Sequence, residues 1–423
     1  MTSKASFVSL LICGLLLAAL LARDGQILLL AIPLLVYLIV GILECPGSMS
    51  LQARRTLESA EVAAGAPVHI RVAVENQGEG LTNLCVSDKP PASMEFEGHT
   101  QQRLALSEGA CTQFAYSLRA LRGVYRWTSI TARASDPFGL FEIKQELPAY
   151  SELSVRPEPL KIRPIHFQPR ETLHAPGPTV ARLAGTGTDF WGIREYRPGD
   201  PLRRLNWRLA GRYPRRLFTN QFQGEEIADF GLIVDARTLT NAYELESAVF
   251  EASVRAAAAL ADVILSKGNR VALLIFGENT SCLFPGYGKR QLSSVIRELC
   301  QATLGRNLPF RYLEYFPTRV FPAQSVIIAF SALDARDLDT YARLRSYGYE
   351  VVLVSPSPVE LTAQTLAPTK LNRRALRAAR LERAAGLNRL LALGVEVIDW
   401  DTRQPLDPLL QDAARAMAHR RNL

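Results

Sequence analysis

The chain has 423 residues, enough for two or three globular units that each bury a core. Its net charge of +8 at pH 7 would suit nucleic acid or anionic lipid, but no RNP motif, zinc-finger spacing or basic low-complexity tail accompanies that charge. The six cysteines form no Cys-x-x-Cys pair, which argues against a zinc site and favours a reducing compartment. We therefore expect no nucleic-acid partner.

Two apolar spans open the chain. Residues 7–22 and 27–43 are almost wholly apolar, and a short charged turn separates them. Each span is near the lower limit for crossing a hydrocarbon core of ~30 Å, and the flanking residues lengthen both. A signal peptide is the alternative for the first span, but no small-x-small cleavage site leads into a soluble domain there. The sequence predicts a transmembrane helical hairpin over residues 1–45, with residues 7–43 in the lipid bilayer.

The charges beside the hairpin predict its orientation. Lys4 precedes it, Arg54 and Arg55 follow it, and the turn holds one Arg beside one Asp. Basic residues favour the cytoplasmic side of a membrane. We therefore expect an integral protein of the inner or cytoplasmic membrane, with its soluble domains in the cytoplasm.

Residues 46–156 predict an all-β, sandwich-like domain. Short runs of alternating apolar and polar residues are separated by turn signals, which is typical of antiparallel strands. His69 and His99 are isolated and are interpreted as structural. Residues 136–141 (Asp-Pro-Phe-Gly-Leu-Phe) predict a turn, and we expect Phe138 and Phe141 to pack between this domain and the next one.

Residues 157–225 are interpreted as a proline-rich linker and a signature segment, whose central stretch is residues 185–207. Pro198 and Gly199 suit the centre of a type II turn. Asp200 is then placed to cap a helix whose first residue is Pro201. In such a helix Leu202, Leu205 and Leu209 would form an apolar stripe, and Arg204, Arg208 and Arg212 would step along the opposite face.

Arginine dominates the signature segment. Residues 194–216 hold eight arginines but only two carboxylates, Glu195 and Asp200. These arginines could pair with acids elsewhere and lock two domains together, or they could form a docking face. The candidate partner-binding residues are Arg194, Arg197, Arg203, Arg204, Arg208 and Arg212. The candidate structural residues are Tyr196, Pro198, Gly199, Asp200, Leu205 and Trp207.

Three ordered segments, residues 122–125, 136–141 and 194–207, resemble the domain of unknown function 58 family of bacteria and archaea. The resemblance extends from about residue 51 to the C-terminus. It implies a MoxR-type AAA+ ATPase as a partner. It implies no activity, because the family is named for lacking one.

Residues 226–423 predict a doubly wound α/β domain. Strands over 230–234, 271–276, 326–330, 351–354 and 395–398 alternate with helices, and residues 282–284 form a short hairpin strand. This order resembles a von Willebrand A domain. The predicted helix 371–393 is rich in arginine, which indicates a solvated face first and contact with anionic lipid second.

The metal site implied by the von Willebrand A resemblance is interpreted as degenerate. Such domains hold Mg²⁺ through an Asp-x-Ser-x-Ser loop after the first strand. Here Asp235 is followed by Arg237 and Leu239 at the serine positions, and Asp334 is displaced from its strand end. An arginine beside a metal would compete for the carboxylate. We expect no metal and no cofactor.

Enzymatic motifs are missing from the sequence. It contains no Walker A loop, no His-Glu-x-x-His, no Gly-x-Ser-x-Gly and no strand-linked Gly-x-Gly-x-x-Gly. The hypothesis is therefore a membrane-anchored, non-enzymatic adaptor or scaffold. The family resemblance implies that it works with a MoxR-type AAA+ ATPase in assembling or maintaining protein complexes. A metal-dependent hydrolase using Asp235 is the alternative, and a nucleic-acid binder is the third reading.

Overall fold

The computed structural model describes residues 2–45, 47–91, 94–165, 179–213, 215–241, 248–277, 280–305 and 320–420. The chain divides into two compact units, Met1–Arg156 and Pro157–Leu423. The first holds two apolar helices and a β-rich domain, and the second holds a mostly parallel α/β sheet. The predicted fold class is confirmed at this level.

The first unit begins with helices α1 (Ser3–Ala22) and α2 (Gly25–Leu43), which are long and apolar enough to cross a membrane. Arg23 adopts a left-handed φ of 48°, and the Asp24 side chain caps α2, so the chain reverses within three residues. The buried residues of α1 are Ala5, Ile12 and Ala19, which lie seven apart on one face. Leucines cover most of the remaining surface and are exposed, as a helix facing lipid requires.

Nine strands follow, as the alternating pattern predicts. They are β1 (Leu51–Leu57), β2 (Glu61–Ala63), β3 (Pro67–Asn76), β4 (Leu81–Ser87), β5 (Glu95–Gly98), β6 (Gln101–Leu106), β7 (Cys111–Arg119), β8 (Gly123–Ser135) and β9 (Glu142–Arg156). One sheet has the order β1-β3-β7-β5, and the other has the order β2-β9-β8-β4-β6. Val68, Ile70, Val72 and Val74 of β3 are at most 2% exposed, because every second residue faces the core.

A buried ion pair lies in this β-rich core. Arg55 donates through Nη2 to Asp88 Oδ1 at 2.7 Å, and both side chains are fully buried. Tyr116 donates its hydroxyl to the same carboxylate at 2.9 Å, and the Arg55 guanidinium lies 5.7 Å from the Trp127 ring centre. The pair is therefore satisfied on all sides, which an ion pair in an apolar core needs.

The turn over residues 136–141, predicted to pack between this domain and the next, contacts the apolar helix α2 and the residue before α1. Phe138 packs on Tyr37 of α2 with ring centres 4.6 Å apart. The Thr2 N–H donates to the carbonyl of Leu140 at 2.9 Å. The physical reason is the antiparallel pairing of β8 with β9, which puts this turn at one end of their hairpin and Arg156 at the other.

The second unit contains a two-stranded ribbon and a six-stranded sheet. The ribbon pairs β10 (Thr179–Glu195) with β11 (Phe218–Glu226). The sheet strands are β12 (Asp229–Asp235), β13 (Arg270–Phe276), β14 (Ser281–Gly286), β15 (Val326–Phe330), β16 (Glu350–Pro356) and β17 (Glu396–Trp400). The helices are α3 (Trp207–Arg212), α4 (Thr238–Asn241), α5 (Ala248–Ser266), α6 (Gly288–Gln301), α7 (Leu338–Ser346), α8 (Pro358–Thr365), α9 (Lys370–Ala392) and α10 (Leu406–Arg420).

The strand order β14-β13-β12-β15-β16-β17 is that of a doubly wound sheet. Only β14 runs antiparallel to its neighbour, as the short hairpin after the second strand predicts. The order reverses between β12 and β15, and ligands of such sheets bind beyond the carboxyl ends of the strands at that point. Asp235 and Ser331 lie there.

The predicted linker is only partly described, because residues 166–178 lie outside the described ranges. Its first part packs on the α/β sheet. Ile165 is 4% exposed and belongs to the sheet's core, and Arg163 Nε donates to Asp407 Oδ2 at 2.7 Å. Residues 157–165 are therefore bound to the second unit.

Gly41 gives a test of the contact between the membrane helices and the β-rich domain. A Cβ at this position would lie 2.9 Å from Leu140 Cδ1 and 3.4 Å from Asp136 Oδ2. We expect Gly41→Leu to destabilise the first unit by about 1–3 kcal/mol, as overpacking does. Thermal unfolding in detergent micelles measures it. Gly14→Leu is the control, because nothing lies within 4 Å of that position; equal melting of the two variants would contradict the contact.

Candidate functional site

At the switch point an arginine stands between two carboxylates. Arg237 donates to both oxygens of Asp235, at 2.8 and 2.7 Å, and to both oxygens of Asp337, at 3.0 and 2.7 Å. We call these three residues the strand-end triad. Their exposures are 1% for Asp235, 7% for Arg237 and 4% for Asp337, so the triad is buried.

The backbone and one hydroxyl complete the triad's hydrogen bonding. The Ser331 hydroxyl donates to Asp235 Oδ2 at 2.6 Å, and the Asp334 N–H donates to Asp337 Oδ2 at 3.2 Å. Burial raises the pKa of Asp337. Burial alone would lower the pKa of Arg237, but hydrogen bonds to the two carboxylates outweigh it and hold that pKa above its usual value. The guanidinium is therefore a permanent cation within the site.

The triad does not fit a resident divalent cation. Mg²⁺ demands oxygen ligands in octahedral geometry, and here the oxygens of both carboxylates are engaged by a bidentate guanidinium. Among the described residues, no group of three or more His, Cys, Asp and Glu could hold a metal. The sequence predicts the competition between Arg237 and a metal for Asp235.

Sequence reasoning missed Asp337. It considered Asp334, which instead caps the short 3-10 helix Ala335–Asp337. The spacing of Asp334 and Asp337 is that of a capping box, which could have indicated that both carboxylates have defined positions at a helix start. The contact of Asp337 with Arg237, however, joins residues 100 apart in the chain.

The signature segment forms the predicted turn but uses Asp200 differently. Gly199 has a φ of 107°, and the Asp200 N–H donates to the carbonyl of Arg197 at 3.0 Å, as a type II turn requires. Asp200 accepts hydrogen bonds from Arg194 at 2.8 and 2.6 Å and from the Arg197 N–H at 2.9 Å. The Arg194 bonds lower the pKa of Asp200, so its carboxylate stays ionised at neutral pH. Asp200 clamps the turn and is not a helix cap.

The continuous helix predicted after this turn is wrong. Residues Leu202–Arg204 form a single 3-10 turn, and helix α3 begins only at Trp207, capped by Asn206. Between them Leu205 is extended, 6% exposed and bridged to Thr219 of β11. The Asn206 N–H donates to the carbonyl of Phe218 at 2.8 Å. Pairing with β11 withdraws these residues from a helix.

This break changes which side chains are exposed. Trp207 is 69% exposed and Leu202 is 66% exposed, so the apolar stripe and the structural role predicted for Trp207 are wrong. The arginine ladder is also interrupted, because Arg204 lies before the break and only Arg208 and Arg212 share α3.

We define the signature surface by its exposed side chains: Leu202, Arg203, Trp207, Arg208, Arg212 and Tyr213. Within the described ranges, no carboxylate forms an ion pair with its three arginines. Two other arginines of the segment are paired, Arg194 with Asp200 at 2.6 Å and Arg216 with Glu195 at 3.1 Å. The predicted docking arginines thus separate into a clamp at Arg194 and a solvated set on the signature surface.

The remaining candidate residues have intermediate positions. Tyr196 is half-buried, and its N–H donates to the carbonyl of Leu217 at 2.8 Å. Arg197 and Pro198 are exposed on the turn, and the Arg204 carbonyl accepts the Thr219 hydroxyl at 3.3 Å. Residues 122–125 and 136–141 lie at opposite ends of β8, in the first unit.

The strand-end triad predicts a large loss of stability on removal of its cation. Arg237→Ala leaves two buried carboxylates without a counter-charge, which costs about 3–5 kcal/mol. Chemical denaturation measures the free energy of unfolding. Arg336→Ala is the matched control, because Arg336 bonds Asp334 at the exposed surface. A loss below that of the control would contradict the structural role of the triad.

The same geometry predicts that magnesium does not change the thermal stability of the protein. Because Arg237 already occupies the carboxylates, added Mg²⁺ should leave the melting temperature of the wild type unchanged, and Asp235→Asn should behave alike. Thermal melts with and without Mg²⁺ decide this. A wild-type melting temperature that rises with Mg²⁺, and does not rise in Asp235→Asn, would show a real metal site.

Comparisons with solved structures give three short likenesses. The CARDB domain of a Pyrococcus furiosus protein, in complex with di-metal ions, is 18% identical, covers 26% of this chain and 94% of that chain, and has a TM-score of 0.19. A FixG-related protein from Vibrio parahaemolyticus is 12% identical over 25% and 95%, with a TM-score of 0.18. A non-cellulosomal cohesin from Archaeoglobus fulgidus is 16% identical over 25% and 91%, with a TM-score of 0.17. Scores this low carry no functional argument.

No curated protein matches the chain. Residues 192–361 match the family model described as "Protein of unknown function DUF58". This span begins in β10 and ends in α8, so it includes the signature surface and all three residues of the strand-end triad. The chain therefore carries a DUF58 family domain, whose function is unknown, over residues 192–361.

Proposed function

We propose that this chain is a membrane-anchored, non-enzymatic adaptor or scaffold that binds a protein partner through the signature surface. One observation carries the proposal: Trp207, Tyr213 and Leu202 are at least half exposed beside arginines that lack an ion pair within the described ranges. Tryptophan, tyrosine and arginine are the residues that most often dominate binding energy in protein interfaces. An exposed indole is costly in water, which favours a partner that covers it.

The strand-end triad supports an adaptor over a metal-dependent hydrolase. A hydrolase of that kind needs a metal with an open coordination position or a carboxylate free to act as a base. Asp235 accepts from Arg237 and Ser331, and Asp337 accepts from Arg237, so neither carboxylate is poised for chemistry. The carboxyl edge of the sheet has a structural role in this reading.

The proposed partner is a MoxR-type AAA+ ATPase, and the proposed task is the assembly or maintenance of protein complexes. Both rest on the family resemblance. The two N-terminal helices, long and apolar enough to span a membrane, support anchoring, and the basic residues beside them support soluble units in the cytoplasm. An adaptor of this design would hold an ATPase at the membrane.

The signature surface can be tested by separating binding from folding. Trp207→Ala with Arg208→Glu alters exposed side chains, so the free energy of unfolding should change by less than about 0.5 kcal/mol. Pull-down of the co-purifying ATPase should fall by about ten-fold or more, as for interface hot spots. Arg415→Glu on α10 is the charge-matched control and should retain the ATPase.

Asp200→Ala is the contrasting variant, because it removes the clamp on Arg194 and should lower the melting temperature. The docking role would be refuted in either of two ways. The first is a Trp207–Arg208 double variant that melts early, and the second is one that melts normally and still retains the ATPase.

The proposed orientation can be tested with thiol chemistry in intact cells. A membrane-impermeant maleimide should modify Gly25→Cys in the hairpin turn and spare the native thiols of Cys111 and Cys282, which are both exposed on the soluble units. Cell lysis should make both thiols reactive, which is the internal control. Labelling of Cys111 or Cys282 before lysis would reverse the proposed orientation.

A further inference from the structure

Helix α9 is longer than the strand it precedes. Its 23 residues span about 34 Å, whereas the five residues of β17 span about 17 Å. Leu387 and Leu390, in the C-terminal half of α9, are buried against the sheet. Arg383 donates to the carbonyls of Ala332 and Ser355, both at 3.0 Å, and both lie at the carboxyl edge. Residues before Arg383 therefore extend beyond that edge.

We call residues 370–381 the projecting half of α9. Its base is fixed to α8, because Arg380 donates to both oxygens of Glu360 at 2.7 and 2.9 Å. Above that base, Leu371 is 76% exposed and Leu381 is 65% exposed. Lys370, Arg373, Arg374 and Arg377 are exposed and lie three or four residues apart, so they share one side of the helix.

Positive charge is concentrated on this helix. Residues 157–423 contain 36 of the 49 Lys and Arg but only 27 of the 41 Asp and Glu, so the second unit carries the whole positive balance of the chain. Within α9, residues 370–389 hold seven Lys or Arg and one acid, Glu382. The positive balance therefore resides largely in α9 and in the signature segment.

This arrangement weakens the helix on its own. The first turn of α9 contains no acidic residue, and cations near a helix N-terminus oppose the helix dipole. Like charges three and four residues apart also repel. Within the described ranges, Lys370, Arg373, Arg374 and Arg377 form no ion pair. An anionic partner would relieve both effects.

We propose that the projecting half of α9 is a second docking surface, which inserts into an acidic groove of a protein partner. The helix stands beyond the sheet with only Asn372, Leu376 and Ala379 partly covered, so a groove can grip it on three sides. Leu371 and Leu381 supply apolar anchors at its two ends. Three of the four cations lie between these leucines and Lys370 lies just before them, and all four favour carboxylates opposite.

A lipid surface fits these observations less well. A flat bilayer surface contacts one side of a helix, whereas the exposed residues of the projecting half surround it except along Asn372, Leu376 and Ala379.

The proposal is independent of the signature surface. The signature surface lies between the ribbon strands β10 and β11, whereas α9 lies between the sheet strands β16 and β17. The two surfaces therefore come from different elements of the second unit. Variants of one should leave binding at the other unchanged.

The experiment uses the full chain in phosphatidylcholine nanodiscs. The probe is a fluorescein-labelled helical peptide with glutamates at every third and fourth position and leucines between them, and its anisotropy reports binding. The test variant is Arg373→Gln with Arg374→Gln and Arg377→Gln, which should weaken binding by about ten-fold or more. The matched control, Arg290→Gln with Arg297→Gln and Arg389→Gln, removes the same charge from exposed positions on α6 and the packed half of α9.

Hydrogen–deuterium exchange locates the contact. Bound peptide should protect the amides of residues 370–381 from exchange, both in the wild type and in a Trp207→Ala variant. The triple test variant should melt no earlier than the wild type, because it loses like-charge repulsion. Equal loss of binding in the test and control variants would overturn the proposal, as would protection elsewhere. Arginine-dependent binding to phosphatidylglycerol vesicles or duplex DNA without peptide binding would also overturn it, by assigning the helix to lipid or to nucleic acid.

Discussion

The ion triad of Asp235, Arg237 and Asp337 is the interaction on which the second unit depends. It joins the central strand β12 to the segment after β15 at the point where the strand order reverses. A divalent cation could neutralise carboxylates that meet at such a point. Here a side chain supplies the positive charge, so the sheet edge is closed without an exchangeable ion. A permanent internal cation suits a scaffold better than a ligand-gated or catalytic site.

The strand-end triad closes the carboxyl edge of the sheet at its switch point. The two proposed docking surfaces of the second unit lie away from the triad. The signature surface lies between the paired strands β10 and β11, and the projecting half of α9 extends past the carboxyl edge of the sheet. Both combine arginines with exposed apolar side chains, the first with Trp207 and the second with Leu371 and Leu381. Two separate docking surfaces on one unit would suit the adaptor role that we propose.

The first unit carries the two apolar helices. Its β8–β9 turn is held by Asp136, which is fully buried and accepts the N–H groups of Phe138 at 3.0 Å and Phe141 at 2.6 Å. The same turn contacts Thr2 before α1 and Tyr37 within α2, so both helices of the hairpin are fastened to the β-rich domain. The soluble part is thereby coupled to the apolar helices by packing and hydrogen bonds as well as by the chain itself.

Local chemistry was readable from the sequence because it depends on neighbours in the chain. Unbroken apolar spans specify α1 and α2, alternation specifies the strands around Val68 and Val72, and Pro198 with Gly199 specifies a turn. Arg237, two residues after Asp235, likewise indicated that a cationic side chain competes with any metal for the Asp235 carboxylate. These features depend on residues that lie close together in the sequence, so periodicity and side-chain chemistry are sufficient to predict them.

The tertiary structure decided what depends on distant partners. The pattern Leu202, Leu205, Leu209 has helical spacing, yet the bridge from Leu205 to Thr219 draws that residue into an extended conformation and leaves Trp207 exposed. Asp337 became part of the site only because the sheet brings β12 and β15 side by side. Residues 136–141 face the membrane helices because β8 and β9 pair along their length. In each case a contact between residues far apart in the chain outweighs a local preference worth only a few tenths of a kcal/mol per residue. Such a contact cannot be predicted from a short stretch of sequence, because the two partners do not lie in the same stretch.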